Sequence, residues 1–471
     1  MKKGDLFEGK VARTEFPCKG IIYIDIEQNG EVEKKKVMVK DALEGQEVRF
    51  SISKKKKDRL EGRLLEVLNP SSLERESPCP HFGLCGGCRY QTLPYEQQLD
   101  LKKGQVEQLI ENSGLDFSIE KIYGSPTETG YRNKMEYSFG DEYKDGPLSL
   151  GMHKKSSFYD IVPLTDCQIV HPDFNLLVTE IREYFRGKGT AFYHRMRHTG
   201  FLRHLVLRRS ARTGEILVNL VTSSQGELDA EEFVGRILGL TAGSNPDKNS
   251  RTIEGRIAGI LHTINDSLAD VVQSDETRIL YGKDFFYEYL EDLRFKITPF
   301  SFFQTNTLGA EVLYGKVREY VGETRDKLIY DLYSGTGTIA QILAPVAKQA
   351  VGVEIVEEAV ESAKENAVSN HLDNCRFIAG DVLKVVDSLT EKPDILVLDP
   401  PRDGINPKAL KKIIGFGVEE MVYVSCKPTS LMRDLKILKE AGYQVKRACL
   451  VDMFPGTVHV ESVVKLTRAA L

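Results

Sequence analysis

Cys426 stands where an apolar run, Val422-Tyr-Val-Ser425, stops and a Pro-led segment, Lys427-Pro428, begins. A strand-end thiol followed by Lys and a helix N-terminus is expected to have a lowered pKa and to populate thiolate, the form that does chemistry. Free cysteines are more often inert packing residues, so the rest of the chain has to supply a reaction for it. Cys426 and Glu461, in His459-Val-Glu461, are both expected at sheet ends near Asp399, in Asp399-Pro-Pro-Arg402. A thiolate with a carboxylate base suits nucleophilic addition followed by proton removal. A second group of cysteines, Cys79-Pro-His-Phe-Gly-Leu-Cys85-Gly-Gly-Cys88, puts three thiols into ten residues with glycines that permit a tight loop. Such a loop suits a metal with a fourth ligand from elsewhere, and spacing leaves zinc and iron-sulfur both open. Cys18, Cys375 and Cys449 have no such company and read as packing residues.

These groups need a scaffold, and 471 residues exceed what one core accommodates. Hydrophobic residues at 41% and charged residues at 28% fit a soluble globular protein, and no apolar stretch reaches membrane-spanning length. The N-terminus has charges but no apolar core of a secretory signal, so a cytoplasmic location is expected, where clustered cysteines serve metal or chemistry rather than disulfides. A net charge of -5 does not advertise a nucleic-acid binder. Local basic runs, Lys54 to Lys57 and Arg195 through Arg197 and Arg203 to Arg209, concentrate charge as phosphate-tracking surfaces do, although either run alone reads first as a solvated charged face. Short alternating strands predict a small β-barrel over 1–68. Residues 69–295 read as a mixed α/β domain carrying the cysteine loop (79–88) and a connecting helix (95–112). Residues 296–471 alternate short apolar strands with helices, which predicts a parallel, doubly wound sheet ending in an antiparallel hairpin. The overall class is therefore multi-domain α/β.

Within that last domain, Asp331-Leu-Tyr333-Ser-Gly335-Thr-Gly337 follows the first strand and opens a helix. Its spacing is neither the dinucleotide fingerprint nor a Walker loop. The next strand ends at Glu354, where a carboxylate can accept ribose hydroxyls, and a third ends near Asp381, within reach of an adenine amino group. In order, these features resemble the class I S-adenosylmethionine-dependent methyltransferases, with Asp399-Pro-Pro resembling the motif between cofactor and target base. Methylating nitrogen or oxygen needs no enzyme nucleophile, whereas carbon 5 of uracil becomes nucleophilic only after a thiolate adds to carbon 6.

Ser301-Phe302-Phe303-Gln304-Thr-Asn306, the glycine turn, Asp399-Pro-Pro-Arg402, Ser425-Cys-Lys-Pro428 and His459-Val-Glu461 together resemble the RNA uracil-C5-methyltransferase family across nearly the whole chain. The resemblance implies Cys426 as nucleophile and Glu461 as base, with Gln304, Tyr333, Glu354 and Asp399 contacting S-adenosylmethionine and Asp381 as a weaker addition. It implies a Rossmann-like methyltransferase domain with a seven-stranded sheet and an OB-like TRAM barrel that binds RNA. Phe302 is a candidate to stack on the target base. Cys79, Cys85 and Cys88 with Cys167 resemble the four-cysteine iron-sulfur site of the members acting on ribosomal RNA, which favours a 4Fe-4S cluster over zinc. The implied activity is formation of 5-methyluridine in 23S ribosomal RNA by a monomer. Transfer RNA is the alternative substrate, and a non-catalytic RNA-binding iron-sulfur protein is the alternative class.

Overall fold

A computed structural model of the chain describes residues 2–468 except 29–30, 57–58, 158, 242–251 and 389–390. Lys57, in one of the basic runs, lies outside the described residues. Strands Leu6–Glu15, Lys19–Gln28, Glu31–Lys40, Glu47–Lys56 and Arg59–Asn69 close into a barrel, the third and fifth pairing in parallel. Alternation along each strand turns Val11, Ile22, Val37, Val39, Val48, Phe50 and Ile52 inward, where they form their own core.

The cysteine loop follows the barrel and leads into helix Tyr95–Ser113, which stops at Gly114 in a left-handed conformation, φ 71°. Val106 and Ile110 are buried on this helix, as its periodicity requires, and so are the polar Gln98, Lys102 and Gln105. A seven-stranded sheet then runs in the order Glu276–Gly282, Arg256–Ile264, Glu215–Thr222, Leu202–Arg209, Lys134–Asp141, Leu148–His153, Ile161–Pro163. Helices Pro172–Gly187 and Ala230–Leu238 cover it through Phe174, Leu177, Phe185 and Phe233.

The last sheet has eight strands rather than the expected seven. Cys375–Ala379, Ala347–Glu354, Thr324–Leu332, Ile395–Leu398 and Glu420–Ser425 are parallel. Antiparallel Glu461–Arg468 and Tyr443–Val451 follow, and the eighth strand is Ile122–Tyr123, which adds to Tyr443–Val451 from far earlier in the chain. Two residues carry no periodicity, so composition could not announce that strand. Near-continuous burial of Ile395–Leu398 and Met421–Val424 is what a sheet covered on both faces demands. All five parallel strands end at one edge, and the antiparallel strand starting at Glu461 begins there too. Among the described residues no helix is long and apolar enough to cross a membrane.

Candidate active site

At the end of Thr324–Leu332 the chain turns sharply, with Tyr333, Gly335 and Gly337 at φ 71°, 54° and 74°. A Cβ on Gly337 would lie 2.4 Å from the Phe377 ring, so only glycine lets the chain enter helix Thr338–Leu343 there. Tyr333 and Ser334 both donate their N–H to Val353 O at 3.0 Å. Glu354 braces the same turn: its Oε2 accepts from Gly335 N and its Oε1 from Val356 N, each at 3.0 Å. Asp381 Oδ1 accepts from Leu383 N at 2.9 Å and so caps the short helix that follows it. Gln304 holds its segment through its carbonyl, which accepts from Asn133 Nδ2 at 3.0 Å. Phe302, 67% exposed, stands beside Gly335, and its carbonyl accepts from Thr336 Oγ1 at 3.2 Å.

Sheet register brings the reactive candidates together. Ser425 pairs with Ser462 in the antiparallel ladder, so Cys426 and Glu461 are the next opposed positions along it. Glu461 is buried, and burial, with Asp399 nearby, pushes its carboxyl up to about 8. Desolvation pushes Asp399 up to about 7. Asp331 is buried with Oδ2 accepting from Ala340 N at 3.1 Å and Oδ1 unpartnered; burial and then Asp399 push it up to about 8.

The expected low thiol pKa is overturned. Burial, followed by Glu461 and Asp399, pushes Cys426 up to about 11, and Arg402 acts in the opposite direction. Lys427, the basis of the expectation, aims its ammonium at Asp403, 3.9 Å away. Two further residues belong to this site: Tyr314 carries no sequence signal, and His459 is marked only as part of the motif that ends at Glu461. Tyr314, on helix Thr307–Val321, is a buried phenol raised by burial and then by Asp399, and it hydrogen-bonds Gln304. In sequence it is one more apolar position at helical spacing. His459 is driven down to about 4 by burial, aided by Arg402, Lys102 and Arg132, and is neutral near pH 7.

The cysteine loop adjoins the turn at 452–457, where Arg89 N and Tyr90 N donate to Gly456 O. Burial and then the charges of Cys167, Cys85 and Cys79 raise the Cys88 thiol, and burial pushes Cys167 up to about 11, so the four thiols feel one another. Gly87 N donates to Cys85 Sγ at 3.3 Å and Gln91 Nε2 to Cys88 Sγ at 3.4 Å. All four cysteines are free, and among the described residues no three His, Cys, Asp or Glu side chains stand in a metal-binding arrangement. The donor chemistry suits a soft cation: partly buried thiols whose charged forms would disfavour one another without a cation, and N–H groups aimed at sulfur.

A family model described as "Methyltransferase domain" matches residues 324–458. A Clostridium tetani protein called an uncharacterized RNA methyltransferase is 47% identical over 469 residues, covering 99% of either chain. One from Clostridium acetobutylicum with the same description is 45% identical over 469 residues, again 99% of each. The crystal structure of Pyrococcus abyssi tRNA (uracil-54, C5)-methyltransferase in complex with S-adenosyl-L-homocysteine superposes with a TM-score of 0.74 and 26% identity. It covers 98% of this chain and 100% of that one.

Proposed function

The chain belongs to the RNA methyltransferase family, and we propose that it methylates carbon 5 of a specific uridine in 23S ribosomal RNA through a covalent Cys426–uracil adduct. One observation carries this reading: the Ser425–Ser462 pairing, which brings the adjoining Cys426 and Glu461 to the edge where Asp399 follows its strand. S-adenosylmethionine is the methyl donor and supplies, when bound, an electrophilic methyl group on a cationic sulfur. Once its proton has left to solvent, Cys426 Sγ forms a bond to carbon 6 as the thiolate, and the ring's double-bond electrons move to give an enolate. Carbon 5 then takes the methyl group, leaving the donor as an uncharged thioether. Glu461 removes the carbon 5 proton, the carbon 6–sulfur bond breaks, and the ring double bond and the Cys426 thiolate are restored. A carboxyl raised to about 8 is matched to that step, because proton acceptance works best near the operating pH.

Gln304, Tyr333, Glu354, Asp381 and Asp399 are the residues we assign to the donor. The glycine turn fits a closely approaching ligand, and Glu354 keeps lone pairs beyond the two N–H groups it accepts. Cys79, Cys85, Cys88 and Cys167 would hold a 4Fe-4S cluster, with zinc the alternative; methyl transfer has no redox step, so its role is structural. Iron and acid-labile sulfide in brown, anaerobically purified protein support the cluster, and colourless protein containing zinc refutes it. The barrel and the central domain are assigned to RNA around a flipped-out uridine. Transfer RNA is the second reading, favoured by the full-length likeness to the Pyrococcus abyssi enzyme. Mapping 5-methyluridine in both RNAs of a deletion strain decides. Retention of every ribosomal 5-methyluridine refutes the first reading, and loss from transfer RNA establishes the second.

A further inference from the structure

Helix Tyr95–Ser113 lies outside residues 324–458, and none of its residues takes a step in the chemistry described above. It nevertheless buries a lysine completely. Lys102 Nζ donates to Asp452 Oδ1 at 2.7 Å and to Phe454 O at 3.2 Å, with both charged side chains 0% exposed. Asp452 Oδ1 also accepts from Phe454 N at 3.0 Å. One turn earlier on the helix, Gln98 Oε1 accepts from Gly456 N at 2.7 Å. Arg89 and Tyr90, at the end of the cysteine loop, each donate a backbone N–H to Gly456 O at 2.9 Å. Tyr131 OH donates to Pro455 O at 2.9 Å, and Asn306 Nδ2 to Met453 O at 2.8 Å.

The segment 452–457 is thus fixed from the helix, the cysteine loop, the central domain and the 301–306 motif at once. A connection between two antiparallel strands requires none of these contacts. What it does require them for is placement of the strand that follows. Glu461 pairs with Val451, the residue just before Asp452. A buried ion pair adds little net stability, because desolvation offsets the attraction, but its directional donors fix one arrangement of the atoms they touch.

We propose that Lys102 is a positioning residue for methyl transfer: through Asp452 and the 452–457 turn it fixes the start of strand Glu461–Arg468, and with it the Glu461 carboxylate. The inference rests on the reading of Glu461 as the base. Its test uses full-length Lys102→Met, and Gln98→Leu as a second variant that loosens the same turn without stranding a charge. Each is mixed with S-adenosylmethionine and undermethylated RNA from a strain lacking the gene. Methyl transfer in the first turnover should stay near the wild-type rate. Release should slow about 100-fold in Lys102→Met, as a misplacement of about 1 Å entails, and less in Gln98→Leu. The undischarged adduct should appear as a denaturant-stable protein–RNA band. Hydrogen exchange of backbone amides in 452–461 should accelerate in both variants while strand Thr324–Leu332 keeps its protection.

Release at the wild-type rate in both variants overturns the proposal. So does a parallel loss of donor binding, transfer and release, which marks a merely structural pair. Glu461→Gln runs alongside: if it accumulates no adduct, Glu461 is not the base and the functional reading fails at that point. Hydrogen exchange then decides by itself whether Lys102 holds the turn, and unchanged exchange overturns the proposal.

Discussion

Replacing Glu461 by Gln isolates the cost of one buried charge. The carboxyl is 5% exposed, and burial, with Asp399 adding to it, raises its pKa from 4.5 to about 8. A folded-state pKa above the unfolded value means that the linked stability is complete below the unfolded pKa of 4.5 and is lost as pH rises, the loss ending above the folded pKa of about 8. A tenfold change in proton affinity corresponds to about 1.4 kcal/mol, so wild-type protein should lose roughly 4 kcal/mol between about pH 5 and about pH 9 through this group. Gln stays neutral throughout and removes that loss. Asp331 and Asp399 remain in both proteins, so the difference between their profiles belongs to Glu461. Urea unfolding at a series of pH values measures it directly. If the two profiles run parallel, the carboxyl is solvated in the folded chain, and the case for a proton acceptor poised near neutrality falls with it.

Gly337→Ala forces a β-carbon toward Phe377 at a φ of 74° and should cost about 2–4 kcal/mol in urea unfolding while weakening S-adenosylmethionine binding in calorimetry. Arg402→Gln removes the cation that lowers the Cys426 thiol, so alkylation of Cys426 by iodoacetamide should slow at mildly alkaline pH, its profile moving above the wild-type value of about 11. An unchanged profile would show that Arg402 does not act on the thiol. Cys426→Ala should abolish methyl transfer and leave donor affinity within about twofold; residual turnover would refute the covalent route.

Much of the candidate site is legible in the sequence because its parts sit at strand ends, where punctuation is strongest. Glycines at 335 and 337 and carboxylates at 354 and 399 each mark the point at which an apolar run stops. What stays hidden depends on contacts between segments far apart in the chain. Lys102 reads as a solvated residue in Leu101-Lys-Lys-Gly, and only the fold shows that its partner lies 350 positions on. Tyr314 looks like core until three strand-end carboxyls are seen to converge on it. The Cys426 thiol departs from its expected pKa for the same reason. Its local sequence offers the neighbouring Lys427, while burial raises the thiol and Glu461, from a later strand, adds to that rise. The eighth strand follows the same rule: Ile122–Tyr123 is defined by the edge it joins, since two residues have no pattern of their own.

Clustering acids at a buried edge is unfavourable for the free chain, and the three carboxyls all move in the direction that says so. Asp331, Asp399 and Glu461 are raised together, and Arg402 is the cation that opposes the rise at both Glu461 and Cys426. Each carboxyl is easier to keep neutral than charged until another positive charge arrives. A sulfonium donor brings one and its thioether product does not. With the donor placed as proposed, ionised carboxylates at this edge would be compensated before methyl transfer and uncompensated after it. On the proposed placement of the donor, the electrostatics that weaken the free chain as pH rises toward 8 would favour the charged donor over the spent one.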